Sequence, residues 1–558
     1  MIADISIQRL LDGWFKFPVL YTPGDNKALA CIWLVVLLPV LCLLPFLDKA
    51  FNMDDPMFIW SAQQILKDPF NFYDFQVNWY GFHFDQADLI NQNPPGVAYY
   101  LAAAGALLGW RESSLHAAML LPAAVVGWGC YRLAQRLCGL PLTATLISIL
   151  TPVFLVSANT LMSDILMLAF YIWAVVWWIR GLESDRWWCL ALAGFLVVLA
   201  ALTKYFGLSL FILLGTYAWF YKRRVGIWLF YLVVAFIPIM AFEFYVHHLY
   251  GHGLINSAFY YPANYRVFGF SQLSVGMMFL GGCFISLIFY TQYLWSFQAT
   301  RAAGLALLVI MLLPFLASGD DKWEKGWFFL HWAMFLAAGL QILILTMLDI
   351  YQRRDVAAWL LAFWVVGVLV FAVFINWTVS GRSLLPMLPA VGILVARRLE
   401  SRGIVPAANW RWIAPPVLAG VLAVTVLAQD TAWANSIRII SQQLMREYGH
   451  QPNGGTVWFQ GAWGFQYYMQ QNGAQKVQYD NFTVHAGDFI IIPVSGNNFS
   501  IPNQAEVQKI AEKRISVSRY ATTMSLKRNA AFYSSVFGSF PYFFGATEDT
   551  YLIYRAGQ

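Results

Sequence analysis

The chain has 558 residues, 59% of them hydrophobic and only 11% charged, with a formal net charge of +6. A soluble protein carries about 25% charged residues, so this composition excludes a water-soluble globular enzyme and solvates most of the chain with lipid. The excess of positive charge follows the loops between apolar runs and carries no nucleic-acid inference.

Residues 1–28 carry Arg9, Lys16 and Lys27 without an early apolar run or a small-residue cleavage site, so no removable leader is expected. From about residue 29 to 428, apolar runs of roughly 17–25 residues recur, each long enough for a ~30 Å hydrocarbon core. They predict spans near 29–47, 114–136, 142–160, 162–180, 187–203, 205–221, 226–246, 272–294, 302–318, 327–348, 356–376, 383–396 and 410–428, about thirteen helices. Arg132/Arg136, Arg180/Arg186, Lys222/Arg223/Arg224, Arg301, Arg353/Arg354 and Arg397/Arg398/Arg402 fall at every second boundary. Basic loops stay cytoplasmic, which predicts the N-terminus inside and the C-terminus outside. The apolar segment 94–109 would invert every later loop if it crossed, so it is expected as a re-entrant or interfacial helix. The six cysteines all lie in or at the ends of apolar spans, which argues against a disulfide framework.

The first outer loop, about 48–113, is the longest between spans. Its Trp60, Phe70, Phe72, Tyr73, Trp79 and Tyr80 suit helices lying at headgroup depth, where an aromatic belt alone accounts for them. Past residue 428 the composition turns polar, and TVWFQG, KVQYD, DFIIIPVS, ISVSRYAT and TYLIYRAG read as strands, with 430–448 and 503–513 as helices. The domains are therefore a membrane region, 1–428, and a small extracytoplasmic α/β domain, 429–558.

Threaded this way, polar residues from distant stretches meet on the outer side. Asp54 and Asp55 follow the first span, Asp164 opens the fourth, Lys204 closes the fifth and Arg382 begins the twelfth. His247, His248 and His252 follow the seventh, with Arg266 in the same loop; Asp320, Asp321, Lys322, Glu324 and Lys325 form a charged turn further on. Charge near hydrocarbon is costly unless paired or used. Carboxylates there can take a proton from an attacking hydroxyl or amine, and lysine and arginine can hold a phosphate. Transfer of a group from a lipid-linked phosphate fits that pairing, and neither a Walker-type glycine loop nor a dinucleotide fingerprint points to a nucleotide donor. Helix capping by Asp54, Asp55 and Asp164, and snorkelling by Lys204 and Arg382, are the plain alternatives.

The motifs DDPMFIWSAQQIL, NPPGVAYYLAA, SDILMLAFYIWA, LTKYFGLSL and GRSLLPMLPA, in this order over roughly residues 30–400, resemble the GT-C superfamily of polyprenyl-phosphate-sugar glycosyltransferases. The resemblance is to glycosyltransferase family 39, the protein O-mannosyltransferases and lipid A aminoarabinose transferases. It implies an α-helical polytopic membrane protein of GT-C type with a small C-terminal extracytoplasmic α/β domain. It further implies that Asp54, with Asp55 beside it, is the general base, that Asp164 is a second acidic position at the cavity, and that Lys204 and Arg382 hold the donor phosphate. Relatives often carry a basic residue or histidine just before the Pro-Pro; here it is Asn93, which can donate to a phosphate but adds no charge.

These readings combine into an expected inverting glycosyltransferase of the bacterial inner membrane, moving a sugar from a polyprenyl-phosphate donor to a lipid, glycan or protein acceptor at the periplasmic face. The expected donor-phosphate set is Lys204, Arg382, Arg266 and Asn93. No cofactor is required; Asp54, Asp55, His247 and His248 would offer ligands to a divalent cation such as Mg or Mn. The competing expectation is a secondary transporter or flippase for an amphipathic precursor. That would need charges near mid-membrane, and the spans are almost free of them.

Overall fold

The computed structural model describes residues 25–265, 270–316, 322–404, 410–449, 455–479, 482–494 and 507–557. Its body is a bundle of helices: α1 (Asp25–Leu43), α2 (Asp55–Lys67), α3 (Gly96–Leu108), α4 (Glu112–Leu137), α5 (Pro141–Ile149), α6 (Pro152–Ala158), α7 (Asp164–Ser184), α8 (Trp187–Thr203), α9 (Ser209–Lys222), α10 (Trp228–Tyr250), α11 (Leu254–Tyr265), α12 (Phe270–Cys283), α13 (Phe297–Leu312), α14 (Lys322–Arg353), α15 (Val356–Val370), α16 (Leu388–Ser401) and α17 (Trp410–Tyr448). α7 is buried almost all round and packs along α4 and α8, as expected of an apolar helix at the centre of a bundle.

Eight helices among the described residues are long and apolar enough to cross a bilayer, ten if each of two bent pairs is one span. The expected thirteen is therefore not reached by length and composition. The run 142–160 is α5 and α6, bent by 62°. Pro152 cannot continue α5, and the Thr151 side chain instead accepts from the Phe154 amide to start α6. α9 and α16 have 14 residues each, a rise of about 21 Å, short of the ~30 Å core. The 13-residue α3 is likewise too short to cross, in keeping with the exclusion of 94–109 from the spans.

The polar tail does not begin at a break. α17 runs 39 residues through 428/429, so the expected helix at 430–448 is its continuation. Beyond it, β3 (Val457–Phe459), β4 (Gln475–Lys476), β5 (Phe489–Pro493), β6 (Val507–Ser518) and β7 (Thr547–Ala556) form one sheet, with β1 (Val77–Trp79) and β2 (Phe82–Phe84) making a separate hairpin in the loop after α2. The spatial order is β4-β3-β5-β7-β6, parallel around β3 and antiparallel around β7, and α18 (Trp463–Gln471) connects β3 to β4. The helix expected at 503–513 is not formed: residues 507–518 are strand β6, paired with β7, and 503–506 lie outside the described residues. Gln, Glu, Lys and Ala suit a helix, yet pairing with β7 overrides that local preference. The charges of β6 lie on an edge strand, where they guard against pairing with another chain.

Candidate functional site

The loop before α2 is built to present a carboxylate. Met53 is held at φ +46°, a left-handed conformation that a non-glycine residue keeps only where its surroundings impose it. The residues just before it are anchored chiefly by the tail. Lys49 Nζ lies 2.7 Å from Asp430 Oδ2 with both side chains sealed from solvent, and also donates to the Asn159 carbonyl. The Ala50 amide donates to Asn435 Oδ1 at 2.8 Å, and the Phe51 amide to Tyr468 Oη at 2.9 Å.

The two adjacent acids then part ways. Asp55 is fully buried; its Oδ1 accepts from the Leu161 amide at 2.9 Å and its Oδ2 from the Asn52 amide at 3.1 Å. It ties the loop to the segment before α7, and the cation that acts on it is Lys49, not Lys204 or Arg382. Burial pushes its carboxyl up to about 6, against the pull of Lys49. Asp54, the N-cap of α2, keeps 41% of its side chain accessible. Removal from bulk water raises its pKa above the usual carboxylate range, opposed by Arg382 and Lys204 and reinforced by Asp164.

Asp164, Lys204 and Arg382 converge as the sequence reading expected. Asp164 opens α7 and is 1% exposed, and Lys204, extended at the end of α8, places Nζ 2.5 Å from Asp164 Oδ1. Arg382 sits on a single helical turn, Gly381–Leu384, fixed by a capping box between Ser380 and Ser383. Its guanidinium stands 3.6 Å from Asp54 Oδ2 through Nη2 and 3.6 Å from Asp164 Oδ2 through Nη1, and its Nε has no hydrogen-bond partner among the described residues. The pairs at 3.6 Å are too long for hydrogen bonds, and with Nη1 donating to Met162 Sδ the guanidinium still keeps further N–H donors.

Sequence reasoning missed the part played by the tail. The Gly381 amide donates to the Phe532 carbonyl at 2.8 Å, and the Arg382 guanidinium lies over the Tyr533 ring, 5.8 Å from its centroid. Tyr533 Oη donates to Asp430 Oδ2, and Thr523 Oγ1 to Asp430 Oδ1. The C-terminal domain thus holds the Asp54 loop through Asp430, Asn435 and Tyr468 and the Arg382 turn through Phe532 and Tyr533, with Asp430 bonded to both Lys49 and Tyr533. The only signal in the sequence was a carboxylate directly after an apolar span.

The remaining expectations fall elsewhere. The Asn93 amide turns to Asn91 Oδ1. The start of α3 just after Pro-Pro packs on the end of α8: a Cβ on Gly96 would stand 2.6 Å from the Leu202 carbonyl oxygen. His247 and His248 are exposed in the last turn of α10, and His252 pairs with Asp88 at 3.1 Å. Arg266, Asp320 and Asp321 lie outside the described residues. Among the described residues no group of three or more His, Cys, Asp or Glu side chains is arranged to hold a metal ion.

Residues 92–245 match the model of the dolichyl-phosphate-mannose-protein mannosyltransferase family. Among curated proteins no match is found. Of solved structures, the crystal structure of ArnT from Cupriavidus metallidurans bound to undecaprenyl phosphate is similar at 13% identity and a TM-score of 0.42, over 85% of this chain and 94% of that one. The apo oligosaccharyltransferase of Archaeoglobus fulgidus is similar at 13% identity and a TM-score of 0.47, over 81% of this chain and 64% of that one. The resemblance to GT-C glycosyltransferases read from the sequence is thus met by the family match, on a chain of membrane-length helices with a strand-containing C-terminal domain.

Proposed function

We propose that the chain is an inverting glycosyltransferase of the bacterial inner membrane, which moves a sugar from a polyprenyl-phosphate donor to an envelope acceptor at the periplasmic face. The observation that carries this reading is the accessible carboxylate of Asp54 beside two cations, Arg382 and Lys204, whose own counter-ion, Asp164, is sealed from solvent. A lipid-phosphate donor is the chemistry named by the family matched over 92–245.

Asp54 takes the proton of the acceptor hydroxyl as its oxygen bonds to the anomeric carbon. The bond from that carbon to the phosphate oxygen breaks on the opposite side, and Arg382 and Lys204 stabilise the released phosphate without a general acid. A double displacement would need a second open carboxylate; Asp164, at 1% exposure, does not supply one. Asp164 instead orders the two cations. The test is transfer by the purified protein in proteoliposomes from a polyprenyl-phosphate sugar, wild type against Asp54→Asn. Undiminished transfer by the variant would remove the base and with it this reading.

A further inference from the structure

A second feature lies further along α2 than Asp54. Where α2, β1 and α18 meet, a cleft of about 260 Å³ opens between the loop after the first span and the C-terminal domain. Among the described residues, five glutamines and one asparagine line it, with Trp60, Phe75, Val77 and a single charged residue, Lys67, and no carboxylate. The volume sits just below the roughly 300–1,000 Å³ of ordinary small-ligand pockets.

The amides divide into two sets. Gln64 donates to the Asn71 carbonyl, Asn78 to the Val477 carbonyl and Gln466 to the Asn78 carbonyl, so these three brace the walls. The carboxamides of Gln63, Gln76 and Gln470 are exposed and have no hydrogen-bond partner among the described residues. Trp60, Gln63, Gln64 and Lys67 follow the i, i+3, i+4, i+7 spacing of one helix face. On a buried helix that face would be apolar; here it is a polar face with one indole, tilted at 33° to the Tyr467 ring.

This chemistry selects its ligand. A carboxamide offers a donor and an acceptor side by side, as a pair of neighbouring hydroxyls does, and a charged ligand would instead call for opposite charges. An indole face provides a flat apolar surface for the C–H side of a ring. We propose that the cleft binds a neutral saccharide unit, hydrogen-bonded by Gln63, Gln76 and Gln470 and stacked on Trp60. The inference deepens the proposed function in that the saccharide is taken to belong to the acceptor, which makes the acceptor a glycan. Gln63 lies nine residues beyond Asp54 on α2, about 14 Å along the axis, so the ring held here is not the ring that reacts.

The experiment is isothermal titration of the full-length protein, in a detergent without a sugar headgroup, with maltotriose, cellotriose, chitotriose and mannotriose. At least one trisaccharide is expected to bind, and Gln63→Ala/Gln470→Ala to weaken that binding at least tenfold. Both side chains are exposed, so the double variant folds even if Trp60→Ala, which loosens the contact with Tyr467, does not. Failure of all four to bind, or binding unchanged in the double variant, overturns the inference. Asp54→Asn is titrated in parallel: retained binding with transfer lost keeps this cleft separate from the catalytic reading, and transfer unaffected by Asp54→Asn would sink that reading while leaving the cleft standing.

Discussion

Arg382 stands 3.6 Å from Asp54, although the two come from opposite ends of the membrane region. Their separation is that of an ion pair held open: close enough to share charge, too far to close into a hydrogen bond. A negative group entering there would meet a guanidinium whose Nη groups are not closed onto either carboxylate. A hydroxyl beside it would find a carboxylate.

Replacing that carboxylate tests the arrangement. Asp54→Asn is expected to lower transfer by about 10²–10⁴-fold, the usual contribution of a positioned general base. Donor affinity should hold or improve, because a negative charge near the phosphate is removed. Steady-state kinetics with varied donor would show this; a raised donor KM with unchanged kcat would make Asp54 a binding group.

Acid should silence the enzyme from higher pH than an ordinary aspartate would allow. As the proposed general base Asp54 must be ionised, and its pKa is raised by burial, so kcat/KM is expected to fall as pH drops through that raised value. Arg382→Gln removes the largest opposing influence and should move the acid limb of the pH profile further upward. A limb that stays in place would mean another group titrates.

Asp55 gives a stability signature with a defined sign. Its folded pKa of about 6 exceeds the ~3.9 of an unfolded aspartate, so the folded state binds the proton more tightly. Between roughly pH 4 and pH 6 the wild type should therefore lose stability, relative to Asp55→Asn, as pH rises. Thermal unfolding of both proteins across that range checks it.

Arg382→Lys keeps the charge and loses the fork. One ammonium cannot stand near both Asp54 and Asp164 and still face the cavity, so the donor KM should rise about tenfold, with thermal stability little changed. An unchanged KM would place the phosphate elsewhere.

The Lys49–Asp430 pair should behave as a buried clamp. Asp430→Leu leaves an ammonium sealed without its counter-ion and Lys49→Met leaves a carboxylate so, each expected to cost about 3–5 kcal/mol, and Lys49→Met/Asp430→Leu less than the two together. Thermal scans of the three variants form a double-mutant cycle. Additive losses would show that the pair is not coupled.

The site was partly legible in the chain. Asp164, Lys204 and Arg382 were found because each is a lone charge at an apolar boundary, and such charges are rare enough to be noticed. Asp54 and Asp55 could not be told apart: neighbours in a DD pair differ only once Leu161 and Asn52 amides claim one and the cavity takes the other. Asn93 fits the position before Pro-Pro, but only the folded loop shows its amide turned to Asn91.

By itself the sequence determined a lipid-solvated helical body and a polar strand-bearing tail, because the choice between lipid and water is made locally by runs of side chains. Tertiary structure decided which apolar runs are broken or short, that 507–518 pairs as a strand, and that Asp430, Phe532 and Tyr533 of the tail fix the loops of Asp54 and Arg382. Those outcomes rest on hydrogen bonds and ion pairs between residues hundreds of positions apart, and no local propensity encodes them.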